Sequence, residues 1–197
     1  MDYQKGRLML RRNAAKIQQG FSLAEVIIVI AIFGILAAFG VSSYTEMIQN
    51  TRIRTATESI QNGIQLARAE AVKRNSMIKF QLGDASAWVV CPVVLLDDDC
   101  PEDPNNPINL HGRSASEGST TDTVVTTIPA GNTAVVFNGL GLTAQDSNPF
   151  TAVEVDIDSA ILSATASREL RVLVGTGGST RMCDPSPKLA EDDPRAC

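Results

Sequence analysis

The chain has 197 residues, 44% of them hydrophobic and 20% charged, and a formal net charge of -5. That length supports one domain with a real core, and the composition excludes wholesale disorder. Residues 1 to 20 hold Lys5, Arg7, Arg11, Arg12 and Lys16 against Asp2; removing these six from totals of 17 basic and 22 acidic leaves 12 and 21. The remainder is therefore an acidic body, unsuited to wrapping a polyanion without a local basic patch.

In chain order, the basic leader 1–20 comes first, with Met1 or Met9 as its start. From Phe21 to Val41 the only polar side chains are Ser22 and Glu25. This stretch matches the roughly 20 residues that cross a bilayer core as a helix. The cationic flank keeps 1–20 in the cytoplasm and sends everything after Val41 outward. A secretory signal peptide cut near Ala38 to Gly40 is the rival reading. Against it stand Glu25, a costly acid within an apolar segment, and a helical pattern that continues past Val41.

Residues 42–75 continue that helix as an amphipathic one. Ile53, Ala56, Ile60, Ile64, Ala67 and Ala71 recur at three-or-four spacing, which marks one buried face. Arg54 with Glu58, and Glu70 with Arg74, are i,i+4 pairs. No proline interrupts 21–75, so the expected helix is roughly 80 Å long at 1.5 Å per residue.

After Asn75 the period changes to two. "MIKFQL", "AWVVCPVVLL", "TVVTTI", "TAVVF", "AVEVDI" and "RELRVLV" are predicted strands. Residues 97–121, rich in Asp, Pro, Asn, Ser and Gly, read as loop. In "FNGLG", Asn138-Gly139 signals a turn and Gly141 a second reversal, as in an ordinary hairpin. The fold class is α+β: one long helix on a mostly antiparallel sheet, with 76–197 as a β-rich globular domain.

Four cysteines permit three pairings, and the sequence does not choose among them. Two local loops, Cys91-Cys100 and Cys183-Cys197, are the economical solution and imply an oxidising compartment. Zinc is the rival, but there is no C-x-x-C, and His111 is the only histidine and far from either pair. Neither a metal nor a cofactor is expected. The acids Asp97, Asp98, Asp99, Glu102 and Asp103 lack EF-hand spacing and read as a solvated loop. "GTGGST" lacks the lysine of a phosphate-binding loop. No nucleophile motif of the G-x-S-x-G kind occurs, so the chain is read as non-enzymatic.

"GFSLAEVIIVIAIFGILAAFGVSSY" resembles the class III signal of type IV pilins and of type II secretion pseudopilins: a basic leader, glycine, Phe-Ser-Leu-x-Glu and an apolar helix. The resemblance implies cleavage by a membrane prepilin peptidase between Gly20 and Phe21, N-methylation of Phe21, and pairing of Glu25 with the N-terminal amine of a neighbouring subunit. Cleavage then creates a cation at Phe21 one helical turn from Glu25, and residues i and i+4 share a face. Neither charge is tolerable unpaired in an apolar bundle. "QLARAEAVKRN", "VVFNGLG" and "RELRVLVGTGGSTRMCDP" narrow the resemblance to the GspH/FimT type, including FimU-like minor pilins. It implies a single-pass protein of the bacterial inner membrane with a periplasmic body, displayed on a filament when assembled. Its implied partners are prepilin peptidase and other pilins or pseudopilins, in a type IV pilus or its tip complex, or alternatively in a type II secretion apparatus. Some FimT-like members bind DNA through Gly-Arg-x-Arg. Here Gly178-Ser-Thr-Arg181 keeps only Arg181, with Arg168 and Arg171 available to extend a patch and acids at 191–193 opposing it.

Overall fold

The computed structural model describes residues 20–93, 99–117, 122–144, 149–158, 160–186, 189–190 and 192–197, and for 38–43 the backbone alone. The chain divides into two compact units, Met1–Val41 and Ser42–Cys197. Helix α1 covers Leu23–Arg74 and contributes to both. Its start and stop are written locally. The Ser22 hydroxyl accepts the Glu25 N–H at 3.2 Å, an N-cap that satisfies one of the orphan donors of the first turn. At the other end Asn75 takes φ 47°. Its N–H donates to Val72 O and that of Ser76 to Ala71 O. This is the paired 5→2 and 6→1 closure of a Schellman motif, with asparagine in the left-handed position.

Two antiparallel sheets follow. The first contains β1 (Ile78–Leu82), β2 (Trp88–Pro92), β3 (His111–Arg113) and β5 (Ala134–Phe137), in the order β3-β2-β1-β5. The second contains β4 (Thr123–Ile128), β6 (Ala152–Ile157), β7 (Leu170–Val174) and β8 (Thr180–Cys183), in the order β4-β6-β7-β8. The expected α+β arrangement of a long helix on antiparallel strands is found, with those strands divided between two sheets. Local alternation marks which segments are extended, but pairing partners are set by long-range packing: β5 joins β1 and leaves β4 to β6.

Within Ser42–Cys197, the six helix positions picked out by spacing are at most 1% exposed and share one core with Phe80, Val90, Phe137, Val153 and Val172. Both sheets therefore bury their apolar faces against α1. Trp88 and Phe150 flank Phe80, with ring centroids 5.8 and 6.2 Å away.

The reading of 97–121 as loop needs correction at His111–Arg113, a short strand paired with β2. Histidine, glycine and arginine carry no strand signal of their own, so pairing with β2 supplies the structure. The β8 strand escaped the pattern for the same reason. In the alternating β1 strand the polar residue Lys79 is also buried, 4% exposed. The last residues of the loop closed by the Cys91–Cys100 disulfide fold over that face. Cys100 N–H donates to Gln81 Oε1 at 2.7 Å, and Asp99 lies 3.8 Å from Lys79 Nζ. Val89, Cys91 and Cys100 form a small second core there. "FNGLG" is a tight reversal in which Asn138 Oδ1 accepts the N–H groups of Leu140 and Leu142.

Candidate functional site

In the first unit the described residues begin at Gly20, with no atom within 4 Å of a would-be Cβ. Phe21 is 84% exposed, and Leu23, Ile27, Ile30, Phe33 and Leu36 are likewise exposed. A run of large apolar side chains in the open needs a partner or a lipid environment. Among the described residues no helix is long and apolar enough to cross a membrane. The side chains of 38–41, the end of the 21–41 segment, lie outside that description.

Glu25 is in the first turn of α1, three residues after the Ser22 cap. Ser-x-x-Glu is the spacing of a capping box, and an acid here also meets the positive end of the helix dipole. This local role for Glu25 was not read from the sequence, although the signal was present. Phe21 lies two residues before the first helical residue, Leu23.

The four cysteines of the body form Cys91–Cys100 and Cys183–Cys197, with Cα atoms 5.8 and 5.1 Å apart. The second bridge ties the C-terminus beside β8, where Asp184 and Ala196 also pair.

The three arginines considered for DNA contact have different surroundings. Arg171 is held by Glu154 at 2.6 Å across β6 and β7. Arg181 donates to the Ala196 carbonyl. Arg168 is exposed and lines a groove of about 320 Å³ beside Glu46 and Asn50. Of the opposing acids, Asp193 is paired with Arg195 at 2.8 Å, and residue 191 lies outside the described residues, as do the leader 1–19 and Asp97 and Asp98.

A larger groove, about 690 Å³, opens between the last turns of α1 and the β7–β8 turn; Gln65, Arg68, Val72, Lys73, Gly178 and Ser179 line it. Arg68 Nε donates to Gly141 O at 3.0 Å, and Gln65 Nε2 to Thr180 Oγ1 at 3.0 Å. Gly178 has φ +72°, and a Cβ there would lie 2.1 Å from Gly141 O and 2.9 Å from Arg68 Nε. Only glycine permits that approach. Lys73 and Arg74 hold Glu70 at 3.1 and 2.6 Å. Their hydrogen bonds, that of Arg74 foremost, lower the Glu70 carboxyl to about 2. Sequence reasoning missed this groove because Arg68 and Gly178 meet only through the fold.

The comparisons with known proteins agree with this architecture in two parts. Residues 56–178 match the family described as type II transport protein GspH, and 15–41 match the prokaryotic N-terminal methylation motif. The type IV major fimbrial protein FimA of Dichelobacter nodosus is 39% identical over 74 residues, 38% of this chain and 44% of that protein. FimA of strain VCS1703A is 39% identical over 54 residues, 27% of this chain and 33% of its own. The chain thus spans less than half the length of these curated relatives. The type IV minor pilin FimU of Pseudomonas aeruginosa PAO1 aligns with TM-score 0.46 and 15% identity, over 66% of this chain and 87% of that one. Because the first match extends over more than half of its residues and joins helix to both sheets, this protein belongs to the GspH family and is a subunit of the type IV pilin and pseudopilin kind.

Proposed function

We propose that the chain is a non-enzymatic minor pilin, processed by prepilin peptidase and assembled into a type IV pilus or its tip complex. The observation that carries this reading is the conjunction at the N-terminus: a methylation motif over 15–41 on a helix whose apolar side chains stand exposed. Residues 21–41 would anchor the subunit in the inner membrane and later pack in the filament. Burial of Leu, Ile, Phe and Val surface is favourable in either setting. The body would remain outside, where disulfides persist, and would bind neighbouring pilins. Cleavage after Gly20 releases an amine at Phe21. Unwinding of the Ser22 cap, or extension of α1 by one residue pair, would then bring that amine within reach of a Glu25 carboxylate, its own or a neighbour's.

The test is the mass of the mature N-terminus of the protein isolated from its native membranes. The expected product begins at N-methylated Phe21. A product beginning near Val41 would replace the pilin reading with that of a secreted protein. The same experiment with prepilin peptidase removed should leave the leader attached. Copurified subunits would separate the pilus from a type II secretion apparatus.

A further inference from the structure

We propose that the Arg68 groove receives the Glu46 end of a second copy of this chain, in a head-to-tail contact between globular bodies. The inference rests on the filament reading but adds to it a specific surface and its occupant. A head-to-tail contact needs two different, complementary patches on one molecule, and such contacts propagate as open filaments. The body carries both. Glu46 and Arg68 lie on α1, 22 positions apart by number, or about 33 Å along the helix.

At the Arg68 end the charge is positive. Arg68 and Lys73 line the groove, and Lys73 is already paired with Glu70, which Arg74 also holds. Arg68 uses only Nε, on Gly141 O, and among the described residues its two terminal guanidinium nitrogens have no partner. They are fixed by that bond and by the close passage of Gly178, so little entropy is lost when they grip an oxyanion. Val72 and Leu140, 52% and 78% exposed, add apolar surface beside them.

At the other end the charge is negative and crowded. Glu46 is exposed and without an ion pair among the described residues, and it lines two adjoining grooves of about 320 and 670 Å³. Glu169 and Asp184 line the larger one, facing Arg168 and Arg195. Arg195 is committed to Asp193, and Asp156 bonds to Ser167 close by. The Glu169 carboxyl is pushed up by burial first and by the neighbouring Asp156 and Glu154 second. A cation delivered from outside relieves that repulsion.

The charge inventory favours a carboxylate over a nucleic acid. One uncommitted guanidinium matches one carboxylate, whereas a polyphosphate needs several cations to gain affinity at physiological salt. The body's net acidity opposes a polyanion in any case.

The experiment is sedimentation of the full chain in non-ionic detergent micelles at low and high salt. The parent protein should self-associate at low salt and dissociate at high salt, as screening shortens the reach of exposed charges. Arg68→Glu and Glu46→Arg should each weaken association about tenfold or more. Combined in one chain they should restore it, since the swapped charges are again complementary. Glu46 is exposed, so its variant keeps the test valid even if Arg68→Glu perturbs the groove. Unchanged association in both single variants, or a double variant as dissociated as the singles, overturns the proposal. So does an Arg68→Glu protein that loses retention of a short DNA duplex while self-associating normally; that result assigns the groove to nucleic acid. If Phe21 is methylated and the charge swap has no effect, this contact alone fails. If the swap rescues association while Phe21 is never exposed by cleavage, the filament reading alone fails.

Discussion

The indole N–H of Trp88 donates to the hydroxyl of Ser59 at 2.9 Å, both residues buried, and so fixes β2 to the middle of α1. Ser59→Ala leaves the indole donor without its partner, which costs about 1–3 kcal/mol. Trp88→Phe with Ser59→Ala removes both polar groups, and the second change should then cost less than it does alone. Chemical denaturation of the four proteins of this double-mutant cycle measures the difference.

Directly above that bond, α1 approaches the sheet at Gly63. A Cβ there would stand 2.7 Å from the Phe80 ring and 2.8 Å from the Trp88 ring. Gly63→Val should destabilise by about 1–3 kcal/mol or more, because a well-packed core shifts only at the expense of strain. A lower thermal midpoint checks this. An unchanged midpoint would mean the helix can lift off the sheet freely.

Glu70 gives the body an acid-labile clamp. Its carboxyl is lowered to about 2 by the hydrogen bonds of Arg74 and Lys73, from the 4.5 of a free glutamate. A lowered pKa in the folded state contributes stability that is present above the unfolded value and lost as pH falls toward the folded one. The window is therefore pH 4.5 down to about 2. Glu70→Gln should flatten the fall of stability with pH across that interval, read from unfolding midpoints at several pH values.

The Cys183–Cys197 bridge closes a loop with a sequence separation of 14. Chain entropy for a loop of that size suggests about 3 kcal/mol. Replacing both cysteines by serine should lower the unfolding midpoint and free the C-terminal segment. Limited proteolysis should then cut after residue 184 in the variant and spare the parent.

Glu25 has two roles that one substitution separates. As the acid of the first turn it steadies the start of α1, and as a charge in an apolar segment it needs a cation. Glu25→Gln retains capping capacity and removes the charge. Processing after Gly20 should continue while filament formation falls sharply, scored by N-terminal mass and by pilus yield. Normal filaments would mean that Glu25 serves only the helix start.

Much of this was written along the chain. The period of three or four fixed the buried face of α1 at Ile53, Ile60 and Ile64, and alternation of β-branched residues located β4 and β6 at the bounds observed. The Gly-Phe-Ser-Leu-x-Glu run located the N-terminal methylation motif, since its meaning depends on adjacent residues alone. Signals of this kind survive because side-chain period follows directly from backbone geometry.

The tertiary structure decided what depends on distant partners. His111–Arg113 became a strand only beside β2, and Lys79 was buried only when the Cys100 segment covered it. The division of the strands between two sheets resulted from β5 choosing β1. Gly178 and Arg68 acquired their roles by meeting at Gly141. By itself, then, the sequence determined the helix, most strands and the N-terminal motif, whose instructions are local. Sheet partners, the covered lysine and the Arg68 groove came from contacts between residues tens of positions apart, where packing of the whole core selects among locally equivalent alternatives.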